Sequence, residues 1–309
     1  MMRVLVIASI NNGVFAPFVL EQAEALRKSG CEIELYGITG KSMSGYLGNF
    51  STLKRKIHEF QPQVIHAHYG LSGLLANLQR EVPVVTTFHG SDINDSKVIR
   101  FSRTAMRLSA WNIFVSRGLM EKARANKRSS LIPCGVDVDD YPLVDKTEAR
   151  KKMGLNPSGK YVLFAGAFDI EVKNAPLARQ AVERLDAELL ELKGYNRQEV
   201  NLMLCAADVM LLTSLAEGSP QVVKEAMACG CPIVSVDVGD VQERLRGLEG
   251  CYVAQTREPQ ELYECLRKAV SFEGRTEGRN RIMADGLDNR IIAQHIIEIY
   301  ERVGLHGTH

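Results

Sequence analysis

Short apolar runs alternate with amphipathic stretches from one end of the chain to the other. In the first half, Arg3–Ser9, Cys31–Ile38, Gln63–Ala67, Val84–Phe88, Asn112–Val115 and Ser130–Ile132 read as strands. Between them lie segments with helical periodicity, such as Phe15–Ser29, which Gly30 is placed to end in a left-handed turn. The second half restarts the scheme with strands at Tyr161–Ala165, Ala187–Leu192, Val209–Thr213, Ile233–Val236 and Cys251–Val253. Late helices are expected over Pro259–Phe272 and Asn289–Val303. Strand and helix in strict alternation predict α/β architecture with parallel sheets.

The break between the halves falls at Pro133 to Pro142, a stretch rich in Pro, Gly and Asp. A chain of 309 residues also exceeds the size at which a single core usually stops growing. Two domains follow as the expectation, 1–140 and 141–288, with a last segment at 289–309.

Composition narrows the function classes. Apolar residues make up 45% and charged residues 24%, the balance of a water-exposed globular protein. The net charge of +1 gives no support for nucleic acid as a partner. The basic runs Lys54 to Lys56 and Lys122 to Arg128 read as solvated helix faces, or as contacts to an anionic membrane surface at the periphery. No apolar run reaches the roughly 18 residues of a membrane span, and the opening run reads as a first strand instead of a signal peptide. Seven scattered cysteines suit reduced, buried thiols in a cytoplasmic protein. Cys229 and Cys231 form a C-x-C without further ligands nearby in sequence, which favours packing over metal.

The candidate chemistry is densest at residues 213–234, TSLAEGSPQVVKEAMACGCPIV. An apolar strand-like run, Asp208 to Thr213, leads into a Gly218-Ser219-Pro220 turn. Ser219 is placed to cap the following helix, and Pro220 suits its first turn. The amides of Gln221 and Val222 would then point out of the helix start, an arrangement that binds anions, most often phosphate. Glu217 and Glu225 flank that turn as acceptors for ligand hydroxyls. Ordinary capping with dipole-favoured acids explains the same residues without a ligand.

The spelling EGSPQVVKEAMACGCPIVSVDVGD, residues 217–240, resembles the Glu-x7-Glu signature of retaining glycosyltransferases of family four. That resemblance implies the GT-B fold, two Rossmann-like domains facing across a cleft, with the last helix crossing back to the first domain. It implies an enzyme that moves a sugar from a nucleotide-diphosphate sugar to a saccharide or lipid-linked acceptor, without a metal or other cofactor. Carried over, Glu225 would bind the ribose hydroxyls and Glu217 the sugar. Gly218, Ser219, Pro220 and the amides of Gln221 and Val222 would meet the diphosphate.

In Phe164-Ala165-Gly166-Ala167-Phe168-Asp169-Ile170-Glu171-Val172-Lys173-Asn174, Lys173 matches the family's diphosphate-neutralising lysine. Ala167 stands where the family has arginine, and Arg179 is a candidate substitute. His89, ending the strand VVTTF, would hydrogen-bond the transferred sugar, while the donor's own phosphate serves as base. Gly13, in Asn11-Asn12-Gly13, keeps one glycine of the family's phosphate turn. Tyr195 after Gly194 sits where the base-binding loop is expected. His68, Tyr69 and Asp92 are assigned to the acceptor side; His66, His68 and Tyr69 read equally well as packing groups.

The cluster Asp137-x-Asp139-Asp140 reads as turn chemistry and not as a metal motif. Two rival functions fit the same residues. A catalytically weak sugar-nucleotide-binding subunit would account for Ala167, and a sugar-nucleotide epimerase would share the general architecture.

Overall fold

A computed structural model describes residues 1–10, 13–40 and 43–305. The chain divides into two compact units, Met1–Gly135 with Asn289–His309, and Val136–Asp288. The first contains β1 (Met2–Ser9), α1 (Pro17–Lys28), β2 (Cys31–Ile38), α2 (Met43–Leu47), α3 (Phe50–Phe60), β3 (Val64–His68), α4 (Gly70–Asn77), β4 (Val84–Phe88), α5 (Ser91–Asn94), α6 (Ile99–Leu108), β5 (Trp111–Phe114), α7 (Arg117–Ala123) and β6 (Ser129–Leu131). The second contains α8 (Lys146–Lys152), β7 (Tyr161–Phe164), α9 (Ala175–Val182), β8 (Glu188–Glu191), α10 (Arg197–Ala206), β9 (Val209–Leu212), α11 (Gln221–Ala228), β10 (Ile233–Val236), α12 (Val241–Leu245), β11 (Cys251–Ala254), α13 (Pro259–Val270) and α14 (Gly278–Ala284). The final helix, α15 (Asn289–Leu305), belongs to the first unit.

Each expected strand is present, most with ends displaced by a residue. The first unit's six strands run in the order β2-β1-β3-β4-β5-β6, all pairs parallel. The second unit's five run β11-β10-β9-β7-β8, also parallel throughout. Renumbered within each unit, the sheets run 2-1-3-4-5-6 and 2-1-3-4-5, a doubly wound order whose ligand crevice opens where the winding reverses, between the first and third strands. That switch point is β1/β3 in the first unit, where Ile7 pairs with Ala67. It is β7/β9 in the second, where Val162 pairs with Val209.

Burial on both faces explains why these strands read as continuous apolar runs. Val4, Val6 and Ala8 of β1 pack with Val19, Ala23 and Leu26 of α1 and with Ile292, Ile296 and Tyr300 of α15. Leu5 and Ile7 point the other way, against Leu53 and Ile57 of α3 and Leu75 of α4. Alternation along one strand thus feeds two separate clusters. Pro17 opens α1 at a position where its missing N–H is not needed, and Gly30 follows the helix at φ +96°.

Residues 136–140, grouped by sequence with the first unit, pack in the second. Val136, Val138 and Tyr141 are buried in its core, and Arg279 donates to the carbonyls of Val138 (2.8 Å) and Tyr141 (2.8 Å). The Pro- and Asp-rich composition signals the turn: Asp137 accepts from the Asp139 amide at 3.1 Å. The apolar side chains inside that turn decide which core it joins.

All seven cysteines are free thiols. Cys229 and Cys231 are buried, and the Cys229 thiol lies 3.2 Å from Asn201 Oδ1. Among the described residues, no three His, Cys, Asp or Glu side chains cluster to hold a metal, and no helix is long and apolar enough to cross a membrane.

Candidate functional site

In the second unit, the loops that follow β7 and β9 are zipped together at the switch point. Thr213 Oγ1 donates to the carbonyls of Lys173 (2.9 Å) and Asn174 (3.0 Å), and the Leu215 amide donates to the Val172 carbonyl at 2.8 Å. This clamp puts Lys173 Nζ 2.7 Å from Glu217 Oε1. The pair is less than a quarter exposed on either side, so its charges are only partly screened.

The turn after Glu217 differs from the sequence expectation. Pro220, and not Ser219, occupies the N-cap of α11, with no side-chain cap. Ser219 Oγ instead donates to Asp240 Oδ2 at 2.8 Å, the same oxygen that accepts from Arg244 Nε at 3.0 Å. The hydroxyl gives its one proton to that buried, Arg-paired carboxylate, and Pro220 takes the cap position instead. Gly239 permits the approach: at φ +64°, a Cβ there would meet the Gly218 carbonyl oxygen at 2.8 Å. Gln221 and Val222 form the first turn of α11, and Glu225 follows one turn later, half-buried.

Sequence reasoning passed over Lys224. It is 1% exposed, and its Nζ donates to Gln221 Oε1 at 3.0 Å in that first turn. The visible signal was a lysine on the apolar face of VVKEAMA. Ala167 is buried, and Arg179 lays its guanidinium over the Phe168 ring at 4.2 Å. Tyr195 is exposed on the loop after β8, which β7 separates from β9.

In the first unit, the residues at the ends of β3 and β4 are buried and mutually bonded. His66 and His68 stack at 4.6 Å and His68 and His89 at 5.2 Å. His68 Nδ1 lies 2.9 Å from His89 Nε2, and His89 Nδ1 lies 3.8 Å from the Cys134 sulfur. His66 bonds Tyr300 Oη (2.5 Å) and Thr87 Oγ1 (2.7 Å) through its two ring nitrogens. Among the described residues, His68 Nε2 is buried without a hydrogen-bond partner. Burial holds His66 well below the ordinary histidine range and pushes His68 down to about 3.

Asp92 knits the two strand ends together. Its Oδ1 accepts from the amides of His89 (3.1 Å) and Gly90 (2.9 Å), and its Oδ2 from Gly70 (3.0 Å). Burial raises its carboxyl to about 6, against the opposing pull of those amides. Gly70 can be nothing else, since a Cβ there would lie 2.1 Å from Ser102 Oγ. Tyr69, just before it, has φ 71° and ψ 149°, close to a region that only glycine visits freely. Its ring packs on His89 at 4.8 Å.

Ser9, Tyr46, Tyr69 and Asp92 line a cavity of about 560 Å³ at the C-terminal ends of the strands. Gly13 ends the β1 turn at φ +82°, its amide on the Ile10 carbonyl at 2.7 Å. Asn11 and Asn12 lie outside the described residues. Thus Lys173 and Glu217 come together in one unit, and His68, Tyr69, His89 and Asp92 in the other. The roles of His66 and Tyr300 and the backbone strain at Tyr69 carry no signature in a single sequence.

Comparison with known proteins matches two separate stretches of the chain. The family Glycosyltransferase Family 4 matches residues 16–140, and Glycosyl transferases group 1 matches residues 162–271. A putative teichuronic acid biosynthesis glycosyltransferase of Bacillus subtilis, TuaC, is 26% identical over 70% of this chain and 63% of its own length. A D-inositol 3-phosphate glycosyltransferase of Geodermatophilus obscurus is 25% identical over 67% of the chain and 59% of its own. The chain therefore spans about three fifths of these two relatives.

Among solved structures, sucrose-phosphate synthase from Thermosynechococcus elongatus superposes with a TM-score of 0.83 at 16% identity, over 99% of this chain and 100% of that one. HepE of Anabaena in complex with UDP-glucose gives 0.74 at 16%, over 98% and 100%. A parallel-sheet Rossmann-like half lies under each match, residues 16–140 resembling Glycosyltransferase Family 4 and residues 162–271 Glycosyl transferases group 1, and the fold is that of the GT-B glycosyltransferases.

Proposed function

We propose that the chain is a retaining glycosyltransferase, with the donor held by the second unit and the acceptor by the first. The donor is a nucleotide-diphosphate sugar, as in the HepE complex with UDP-glucose. The carrying observation is the Lys173–Glu217 pair at the β7/β9 switch point, beside the start of α11. On this reading Lys173 exchanges Glu217 for a diphosphate oxygen, and the released Glu217 accepts from hydroxyls of the transferred sugar. Glu225 takes the ribose hydroxyls, the first turn of α11 faces the diphosphate, and the Gly194–Tyr195 loop meets the base.

In transfer, the bond from the anomeric carbon to the leaving phosphate oxygen breaks, and the bond to the acceptor oxygen forms on the same face. The acceptor proton passes to the departing diphosphate, and His89 hydrogen-bonds the sugar. Positive charge for the leaving group comes from Lys173 and the helix end, with no divalent ion invoked. The acceptor is a saccharide or lipid-linked molecule of glycoconjugate synthesis, and the protein works in the cytoplasm or at the membrane periphery.

Two substitutions test this donor site by calorimetry with nucleoside diphosphates and their sugars. Glu225→Ala should weaken both ligands about tenfold or more, the scale of a charge-assisted hydrogen bond. Glu217→Ala should spare the nucleoside diphosphate and weaken only the sugar-bearing donor. Equal affinities of the two variants for every ligand would sink the assignment.

A further inference from the structure

The 560 Å³ cavity of the first unit carries information about what the acceptor is. It opens at the β1/β3 switch point, where Ser9 ends β1 and Tyr69 follows β3. Its size lies within the range of about 300–1,000 Å³ that takes a drug-sized ligand. Phe15, Tyr46 and Leu71 supply apolar and aromatic groups to its lining. Asp92 and Asp95 are the charged members of the described lining.

The carboxylates set the sign of the site. The amides of Gly70, His89, Gly90 and Asp92 itself all bond the Asp92 carboxylate, so what it brings to the cavity is negative charge. Asp95 spends Oδ1 on the Lys97 amide at 2.8 Å, and its second oxygen is the hydroxyl acceptor of the lining. Both carboxylates repel phosphate or carboxylate. Tyr69 marks the cavity as functional by an independent route. It holds a bulky side chain against the cavity on a backbone of φ 71°, a strained conformation that tends to cluster at ligand sites.

We infer that this cavity binds an uncharged, hydroxyl-bearing ring carrying an apolar substituent, and that it discriminates against phosphorylated acceptors. The inference rests on the glycosyl-transfer reading for the word acceptor, though the binding chemistry stands on the cavity alone. It separates this chain from the relative named for D-inositol 3-phosphate. The hydroxyls would face Asp95, while the apolar substituent lies on Phe15, Tyr46 and Leu71.

A matched pair of probes tests it: phenyl β-glucoside and its 6-phosphate, titrated into the full chain by calorimetry or ligand-observed NMR. The neutral glycoside should bind at least about tenfold tighter, since like-charge juxtaposition is costly. Asp95→Lys should close that gap. Leu71→Trp, which fills the cavity, should abolish glycoside binding while leaving nucleoside diphosphate affinity unchanged. Tighter binding of the phosphate, glycoside binding that survives Leu71→Trp, or no binding of either probe would each overturn the inference.

Affinity that climbs from phenyl to decyl glucoside identifies a lipid-borne substituent, and flat affinity a small one; both support the class. Nucleotide binding without glycoside binding defeats this inference alone, whereas the reverse result defeats the donor assignment alone.

Discussion

The two units wind their sheets in the same order and place chemistry at the same topological point, yet they build it in opposite ways. In the second unit the switch point holds an ion pair between loops, Lys173 with Glu217, which on the proposed reading exchanges for ligand groups. In the first it holds imidazoles and a carboxylate buried and bonded to backbone and neighbours. One site is an ion pair between two loops, the other a buried, mutually bonded cluster. Shared topology therefore fixes where a ligand crevice lies, and the side chains on the following loops decide its chemistry.

The contrast breaks first at Asp92. Asp92→Ala leaves the amides of Gly70, His89 and Gly90 without their acceptor. Loss of about 3 kcal/mol or more of stability is expected at 1–3 kcal/mol per orphaned group, measured by urea denaturation. Asp92→Asn, which keeps an acceptor oxygen, should recover part of it. A cost under about 1 kcal/mol, the range of an exposed ion pair, would erase the distinction between the sites.

Lys173→Ala should behave the other way. Stability should fall by about 1–3 kcal/mol, less than at Asp92, because Glu217 is left as one unpaired and partly solvated charge. Nucleoside diphosphate affinity should drop roughly 10- to 100-fold, the range for one charge-assisted hydrogen bond. Binding to the wild type should also weaken as salt rises, in a titration from low to high ionic strength.

Acid should act on the first unit. His68 and His66 have lowered values in the folded state, so below about 6.5 the unfolded chain takes up protons that the folded chain refuses. Their stabilising effect is present above that pH and is lost as pH falls, for His68 down to about 3. Asp92, raised to about 6, acts in the opposite direction: its folded form gains protons first, favouring the fold as pH falls from about 6 toward its model value of 3.8. Two histidines against one carboxylate give a net loss. His68→Phe should flatten the fall between pH 6 and 4 by about 1.4 kcal/mol per pH unit, the worth of one proton. Unchanged slopes in chemical denaturation at those pH values would remove the histidine from the account.

The smallest effect is expected at Ser219. Its hydroxyl bonds Asp240, which keeps Arg244 when the serine is gone, so Ser219→Ala should cost about 0.5–1.5 kcal/mol by thermal denaturation.

Much of the fold was legible because it depends on local patterning. Continuous apolar runs report strands buried on two faces, and β1 shows both faces in alternate residues. The boundary at 136–140 was misplaced because turn composition says nothing about which core a turn's apolar residues enter. At the candidate sites, Glu217, Lys173, His89 and Asp92 lie on the segments that follow strands, and the family resemblance picks out Glu217, Lys173 and His89 among them. The partner of Ser219 is hidden from local sequence because Asp240 lies 21 residues further on. The role of His66 is hidden from the sequence because Tyr300 is 234 residues away, beyond any local window.

That distance has a consequence for synthesis. The first unit opens the chain, yet it needs α15, whose Ile292, Ile296 and Tyr300 complete its core. A ribosome delivers every residue of the second unit before that helix emerges. The half that is translated first is therefore the half that finishes last, and until the helix arrives its buried histidine stack lacks the Tyr300 hydroxyl. In pulse-labelled nascent chains, protease resistance should come to Val136–Asp288 ahead of Met1–Gly135, reversing the usual amino-to-carboxyl order of domain maturation.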